Sequence, residues 1–233
     1  MGETDVFAAA RRSGRQLALL MVNVDRLSRI NDSLGHAAGD DKECHACQRG
    51  EVQKWNVVSR AADRGVMIAI EMHPHNLVFN PATLERLIDA TGGENIGAEM
   101  DPSHLFWQGI DPIAAIDHLG DRVVHAAAKD VRINPAAAVH GVLDDRHTRF
   151  TGDRITRIRG GAAINRWPEG SAWDFVALGR GHDQDFWDRF VAALAAVDPD
   201  MAVHIEHEDE ALGRIEGLET AAEVLLTARD HAG

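Results

Sequence analysis

The chain has 233 residues, 45% of them hydrophobic, which is enough to bury a core as one domain or as one domain with an appendage. Its formal charge of −13 argues against nucleic acid as a main partner, because phosphate binding needs clustered Lys and Arg. No apolar run approaches the ~20 residues that span a bilayer, and the acidic start lacks the basic-then-apolar order of a signal peptide, so no membrane partner and a cytoplasmic location are expected.

Residues 5–14 read as a short helix and Leu17 to Val24 as an apolar strand. Leu27, Ile30 and Leu34 keep helical spacing before Gly35 stops the run. Cys44 and Cys47 form a lone pair in a polar junction over 41–50; they make no disulfide framework and fall short of a structural zinc site. From Glu51 the texture becomes alternating helices and strands. An amphipathic helix over 51–64 precedes a strand over 66–71. Asn80-Pro81 caps and starts a helix that Gly92-Gly93 ends, and a strand over 96–101 follows. Asp111-Pro112 repeats the cap-and-proline start for a helix over 112–119, and residues 122–128 form the next strand. Residues 131–175 read as one long connection, of the kind that either covers an active site or is disordered. A helix over 183–197, a strand over 201–206 and a helix over 214–229 close the chain. Four βα units in succession predict a parallel α/β architecture.

Three of those strands finish on an acid: Glu71, Asp101 and Glu206. Pro102 cannot donate to a sheet ladder, so the strand before it stops near Asp101 and His104 falls in the following loop. Alternation puts Met67, Ala69 and Glu71 on one face, with Ala202, His204 and Glu206 on the matching face of the later strand. Barrel-type α/β proteins do their chemistry at the carboxyl ends of the strands. Three carboxylates gathered there resist joint ionisation unless a cation compensates them. Carboxylate oxygen with one imidazole suits Mn²⁺, Mg²⁺ or Co²⁺, and such an ion can polarise a sugar carbonyl while a carboxylate moves a proton at the next carbon. The plain alternative is that these acids cap helices or meet surface cations.

Two stretches resemble known families. Residues 17–40 resemble the opening strand and helix of a diguanylate cyclase (GGDEF) domain, through Asp25-Arg26, Ile30-Asn31-Asp32, Gly35-His36 and Gly39-Asp40. Asn23 stands where that family has its first metal-binding aspartate, and the signature hairpin is absent, so residues 1–45 read as a fragment with linker and a cyclic-dinucleotide signalling role is set aside. From about residue 50 to 230, within a domain read as 46–233, the chain resembles the sugar phosphate isomerase/epimerase family of xylose isomerase-like TIM barrels. The motifs are Ile70 to Pro74, Asp101 to Pro112, Lys129-Asp130, Gly179 to Asp183 and Ile205 to Asp209. The resemblance implies a partial (β/α)8 barrel retaining roughly the last four βα units. It implies Glu71, Asp101 and Glu206 as metal ligands, Glu71 and Glu206 as the proton-transfer pair, and His104 as a substrate contact. His73, Lys129, His182 and Trp107 are further candidate substrate contacts.

Two departures stand against full activity. The family's strand reads H-x-H-x-K-D with its second histidine on the metal, and here Ala127 holds that position. His125 shares its face but lies about 6–7 Å deeper at ~3.3 Å per residue, so it is a displaced substitute ligand. A full barrel also has eight strands, so a homodimer could close this half, or the chain could be an inactive remnant that at most binds metal or sugar weakly. A hydrolytic relative, of the AP-endonuclease kind, needs more histidine ligands than this chain retains. The expected ligands are therefore a small sugar or sugar phosphate and a divalent metal.

Overall fold

Each run with period-two alternation between residues 66 and 206 becomes a strand, trimmed at its ends. The computed structural model describes residues 58–59, 61–74, 76–142, 155–157, 163–165 and 170–232. The GGDEF-like stretch, the boundary at 45/46, the cysteine pair and most of the helix expected over 51–64 lie outside the described residues. Two compact units divide the chain: residues up to Ile68 with Gly93–Asn95, and Ala69–Gly92 with Ile96–Gly233. In the first, the Asn95 side-chain amide donates to the carbonyls of Val58 and Val66, each at 3.2 Å.

The strands are β1 (Ile68–Glu71), β2 (Ile96–Met100), β3 (Val123–Ala128), β4 (Asp130–Ile133), β5 (Ile155–Arg157), β6 (Ala163–Asn165), β7 (Trp173–Val176) and β8 (Val203–Ile205). The helices are α1 (Pro81–Thr91), α2 (Pro102–Phe106), α3 (Pro112–Leu119), α4 (Ala137–His140), α5 (Gln184–Val197) and α6 (Arg214–Ala232). The main sheet runs β1-β2-β3-β8, with β2–β3 and β3–β8 parallel. Helices α1 and α3 pack on β2, and α6 packs on β8 and α5. The expected α/β organisation, with β2, β3 and β8 parallel in a four-stranded sheet, is what the chain adopts.

Local chemistry explains the helix starts. Asn80 and Thr83 form a reciprocal capping box ahead of Pro81, and Gly92 ends α1 in the left-handed conformation at φ 60°. Asp111 caps α3, and Asp183 caps α5, each by accepting backbone N–H groups of the first turn. Leu84, Ile96, Met100, Leu105, Ile116, Trp187, Phe190 and Leu194 are fully buried and make the core.

Two expectations are corrected. Residues 131–175 are not one loop: β4 and β7 pair antiparallel, from Asp130 opposite Val176 to Ile133 opposite Trp173. Each strand is only four residues long and its partner is some forty residues away, so alternation within either run carries little signal. Trp173 and Phe175 there join Trp107, Val131 and Ala172 in a satellite core. His104 is not in a loop either, because Asp101 and Pro102 start the short helix α2, which contains it.

Strand β2 also passes close to β3 at Gly97. A β-carbon there would sit 2.5 Å from the Arg122 carbonyl oxygen and 2.7 Å from a Val124 methyl. Backbone cannot swing aside as a long side chain can, so Gly97→Ala is expected to cost about 1–3 kcal/mol as an overpacking change. A urea midpoint that falls with an unchanged m-value checks it.

Candidate metal centre

Asp101 builds the centre because of its position at a strand end. Its Oδ1 accepts the Ser103 backbone N–H at 2.8 Å and the Ser103 hydroxyl at 2.7 Å, capping α2. One helical turn then carries His104 back over the same carboxylate, with Nε2 3.3 Å from Asp101 Oδ2. Glu71, at the end of the neighbouring strand, brings Oε1 to 3.0 Å from the same His104 nitrogen. Both Asp101 and His104 are almost wholly buried. Yet among the described residues Asp101 Oδ2 and His104 Nε2 have no hydrogen-bond partner, because the approach of the ring to the carboxylates is close but poorly aligned. A buried carboxylate oxygen left without a partner is costly.

That arrangement fits a cation. Donors about 2.1 Å from one ion stand roughly 3.0–3.4 Å apart at octahedral to tetrahedral angles, which matches the two separations around His104 Nε2. Glu71, Asp101 and His104 all offer ligand atoms within 4.8 Å of one another. Burial works against ionisation of Glu71, but the His104 imidazole outweighs it and holds this carboxyl down at about 2. His73 lies against His104 with ring centroids 4.1 Å apart and its Nδ1 2.6 Å from the Pro74 carbonyl. Burial, then the neighbouring His104, lowers the pKa of His73 below its ordinary value.

Glu206 takes a different partner. The Lys129 ammonium lies 2.6 Å from Glu206 Oε1 and 3.0 Å from Glu208 Oε1, and 4.3 Å above the Phe175 ring. Burial disfavours the charge on Lys129, but Asp101, Glu208 and Glu206 together more than reverse this and keep it firmly protonated. Burial likewise opposes the Glu206 anion, and Lys129 reverses this, so its pKa is lowered.

His125 does not join Asp101. Its Nε2 lies 3.0 Å from His204 Nδ1, the two rings stack at 5.0 Å, and Glu99 completes a second group below the first. Burial and then His204 lower the pKa of His125, while burial and then Glu71, Asp101 and Glu206 push Glu99 up to about 7. His182 is fixed by fully buried Asp130, which accepts its Nδ1–H at 2.7 Å and the backbone N–H groups of Gly181 and His182 at 3.0 Å. Its ring stacks on Phe106 at 3.5 Å. Trp107 stacks on Trp173 at 4.8 Å within the satellite core.

Thus Glu71, Asp101 and His104 come together, His73 flanks them, Lys129 holds Glu206, and His125 sits one tier down. The sequence assigns no site role to Glu99, His204 or Glu208, although His204 is placed on the Glu206 face and Glu208 falls in a family-like motif. The signal was present for the first two, since each stands two residues before a strand-end acid and shares its face.

A parallel α/β sheet with acids and imidazoles gathered at its carboxyl ends defines a barrel-type protein with a candidate metal centre. The chain belongs to the xylose isomerase-like TIM barrel family, whose model matches residues 7–228. YfiH of Bacillus subtilis (strain 168), an uncharacterised protein, is 34% identical over 171 residues, covering 72% of this chain and 49% of that protein. An inosose dehydratase of Lacticaseibacillus casei is 31% identical over 148 residues, covering 64% of this chain and 46% of that protein. The crystal structure of a xylose isomerase domain protein from Planctomyces limnophilus shares the fold, with a TM-score of 0.51 at 19% identity over 76% of this chain and 51% of that one. The chain therefore spans about half the length of the curated relatives it matches. Among the described residues no helix is long and apolar enough to cross a membrane.

Proposed function

We propose that this chain is a divalent-metal-dependent isomerase or epimerase for a small sugar or sugar phosphate, moving a proton at the carbon beside a carbonyl. The observation that supports the reading is the pair of buried ligand atoms, Asp101 Oδ2 and His104 Nε2, which lie close to each other and to Glu71 yet make no hydrogen bond among the described residues. Glu71, Asp101 and His104 would hold the ion, with Glu206 a fourth ligand if it exchanges Lys129 for the cation. A bound Mn²⁺, Mg²⁺ or Co²⁺ supplies polarisation of a substrate oxygen, which acidifies the neighbouring C–H.

The chain's own groups do the rest. Glu71 and Glu206 are both held ionised at neutral pH, so each is available to accept a proton. Lys129 fixes the Glu206 carboxylate and offers positive charge to an oxyanion or a phosphate. His73 lines the approach to His104 as a substrate contact. The inosose dehydratase relative is compatible with this chemistry, since loss of water beside a carbonyl also begins with removal of the adjacent proton. We propose a second copy as the source of the other half of the barrel, because a full barrel has eight strands and the described main sheet has four. A second reading, a metal or sugar binder without turnover, is favoured by one observation: Ala127 leaves the position between Asp101 and Glu206 without a side-chain donor.

The test begins with a thermal melt of chelator-stripped protein with and without Mn²⁺. At a hundredfold excess over Kd the midpoint should rise by roughly 5–10 °C, and Asp101→Asn should abolish the rise. Incubation with ketoses in D₂O then asks for exchange of the hydrogen next to the carbonyl by NMR. Metal binding with no exchange on any sugar would move the protein to the second reading.

A further inference from the structure

We infer that the chain carries a second metal site, built from Glu99, His125 and His204, that takes a late first-row divalent ion of the Zn²⁺, Fe²⁺, Co²⁺ or Ni²⁺ kind. Strand register places these residues together. Glu99 pairs with His125 across β2–β3, and Ala127 pairs with His204 across β3–β8. Residues two apart share a face, so all three side chains lie on the face that also carries Asp101, Ala127 and Glu206. Glu99 and His125 form the next tier down, about 6–7 Å beneath Asp101 and Ala127 at ~3.3 Å per residue, and His204, in register with Ala127, reaches His125 with its ring. The alanine that stands where the family has its histidine is thus in register with one histidine, His204, and two residues along its own strand from another, His125.

The geometry is that of ligands around one ion. His125 Nε2 and His204 Nδ1 are 3.0 Å apart, the separation of neighbouring donors each roughly 2.1 Å from a shared metal. The rings are nearly parallel, at 9°, with the two nitrogens facing one another. Glu99 Oε1 lies 3.7 Å from His204 Nε2, the ring nitrogen other than the one facing His125, and one ligand atom from each of the three residues falls within 4.8 Å of the other two. Glu99 is 22% exposed and His204 43%, so an ion can enter from solvent and complete its shell with water. Two imidazoles and one carboxylate form a nitrogen-rich donor set that selects late transition metals, whereas the upper group, with two carboxylates and one imidazole, is the harder site. The two tiers should therefore load different metals.

The test separates the tiers. In the Asp101→Asn protein, which lacks the upper site, one equivalent of Cu²⁺ used as a probe should give an EPR spectrum with nitrogen coupling from two imidazoles. His125→Ala and His204→Ala should each remove that spectrum, and Zn²⁺ should compete for the same equivalent. Circular dichroism in EDTA confirms that each variant is folded; should either alanine variant unfold, Glu99→Gln serves instead and should weaken Cu²⁺ about tenfold or more. Absence of such an ion in Asp101→Asn, or an unchanged spectrum in the folded variants, overturns the site. Failure of the upper centre to bind Mn²⁺ would leave this result untouched, because the background already lacks Asp101.

Discussion

Replacing Lys129 with methionine is expected to destabilise the protein by about 2–4 kcal/mol at pH 7 and to lower its melting midpoint by roughly 5–15 °C. Lys129 is 3% exposed and bridges Glu206 and Glu208. Methionine fills a similar volume, so lost packing contributes little. What goes is the cation among acids: Glu206, Glu208 and Asp101 are left repelling one another. Removing one partner of a fully buried pair costs about 3–5 kcal/mol; the lower figure here reflects the partial exposure of both glutamates.

The pH dependence identifies the cause. Lys129 lowers the folded-state pKa of Glu206 below its ordinary 4.5. A depressed acid contributes stability that is present above the unfolded pKa and lost as pH falls through the folded one. The gap between wild type and Lys129→Met should thus be widest at neutral pH and shrink as pH falls below 4.5 and through the lowered folded-state pKa of Glu206, as the carboxylates protonate in both proteins. A denaturant series at pH 7 and pH 3.5 reads this directly. A gap that persists at low pH would make Lys129 a packing residue. Mn²⁺ should narrow the gap at pH 7, by restoring positive charge among the same acids.

Much of the site was legible because acids at strand ends leave a mark that needs no tertiary information. Asp101 before Pro102 announces the end of β2, whereas the five-residue helix α2 that the same pair starts, and that carries His104, is too short to leave a periodic signal. Legibility stopped where position along the chain no longer fixes the partner. Glu206 stands at a strand end like Glu71, but Lys129 reaches it from the end of the adjacent strand, and only β3–β8 pairing brings them together. His125 invited comparison with the missing ligand at Ala127, because both point to one face. Its actual neighbour, His204, lies 79 residues away. The β4–β7 ladder was hidden for the same reason, as a four-residue strand with a remote partner resembles loop.

Glu99→Gln is expected to do the opposite of Lys129→Met and stabilise the metal-free protein. Burial first, then the charges of Glu71, Asp101 and Glu206, raise the Glu99 pKa from an ordinary 4.5 to about 7. The folded state therefore binds more protons than the unfolded chain between those values, and wild-type stability falls as pH rises through that window. Below about pH 4.5 both states hold the proton and nothing is lost; above pH 7 the full cost is present. Glutamine keeps the shape and carries no charge, so it removes the pH-dependent cost. In chelator, the two proteins should have similar stability near pH 4.5, and the variant should be more stable by about 2–3 kcal/mol at pH 8, trimmed from the full linkage value because Glu99 is 22% exposed. Denaturant midpoints every half pH unit measure it, and curves that run parallel would mean that Glu99 is an ordinary solvated acid. Zn²⁺ at the lower tier should reverse the order at pH 8, since an ion bound to Glu99, His125 and His204 needs the carboxylate that glutamine lacks.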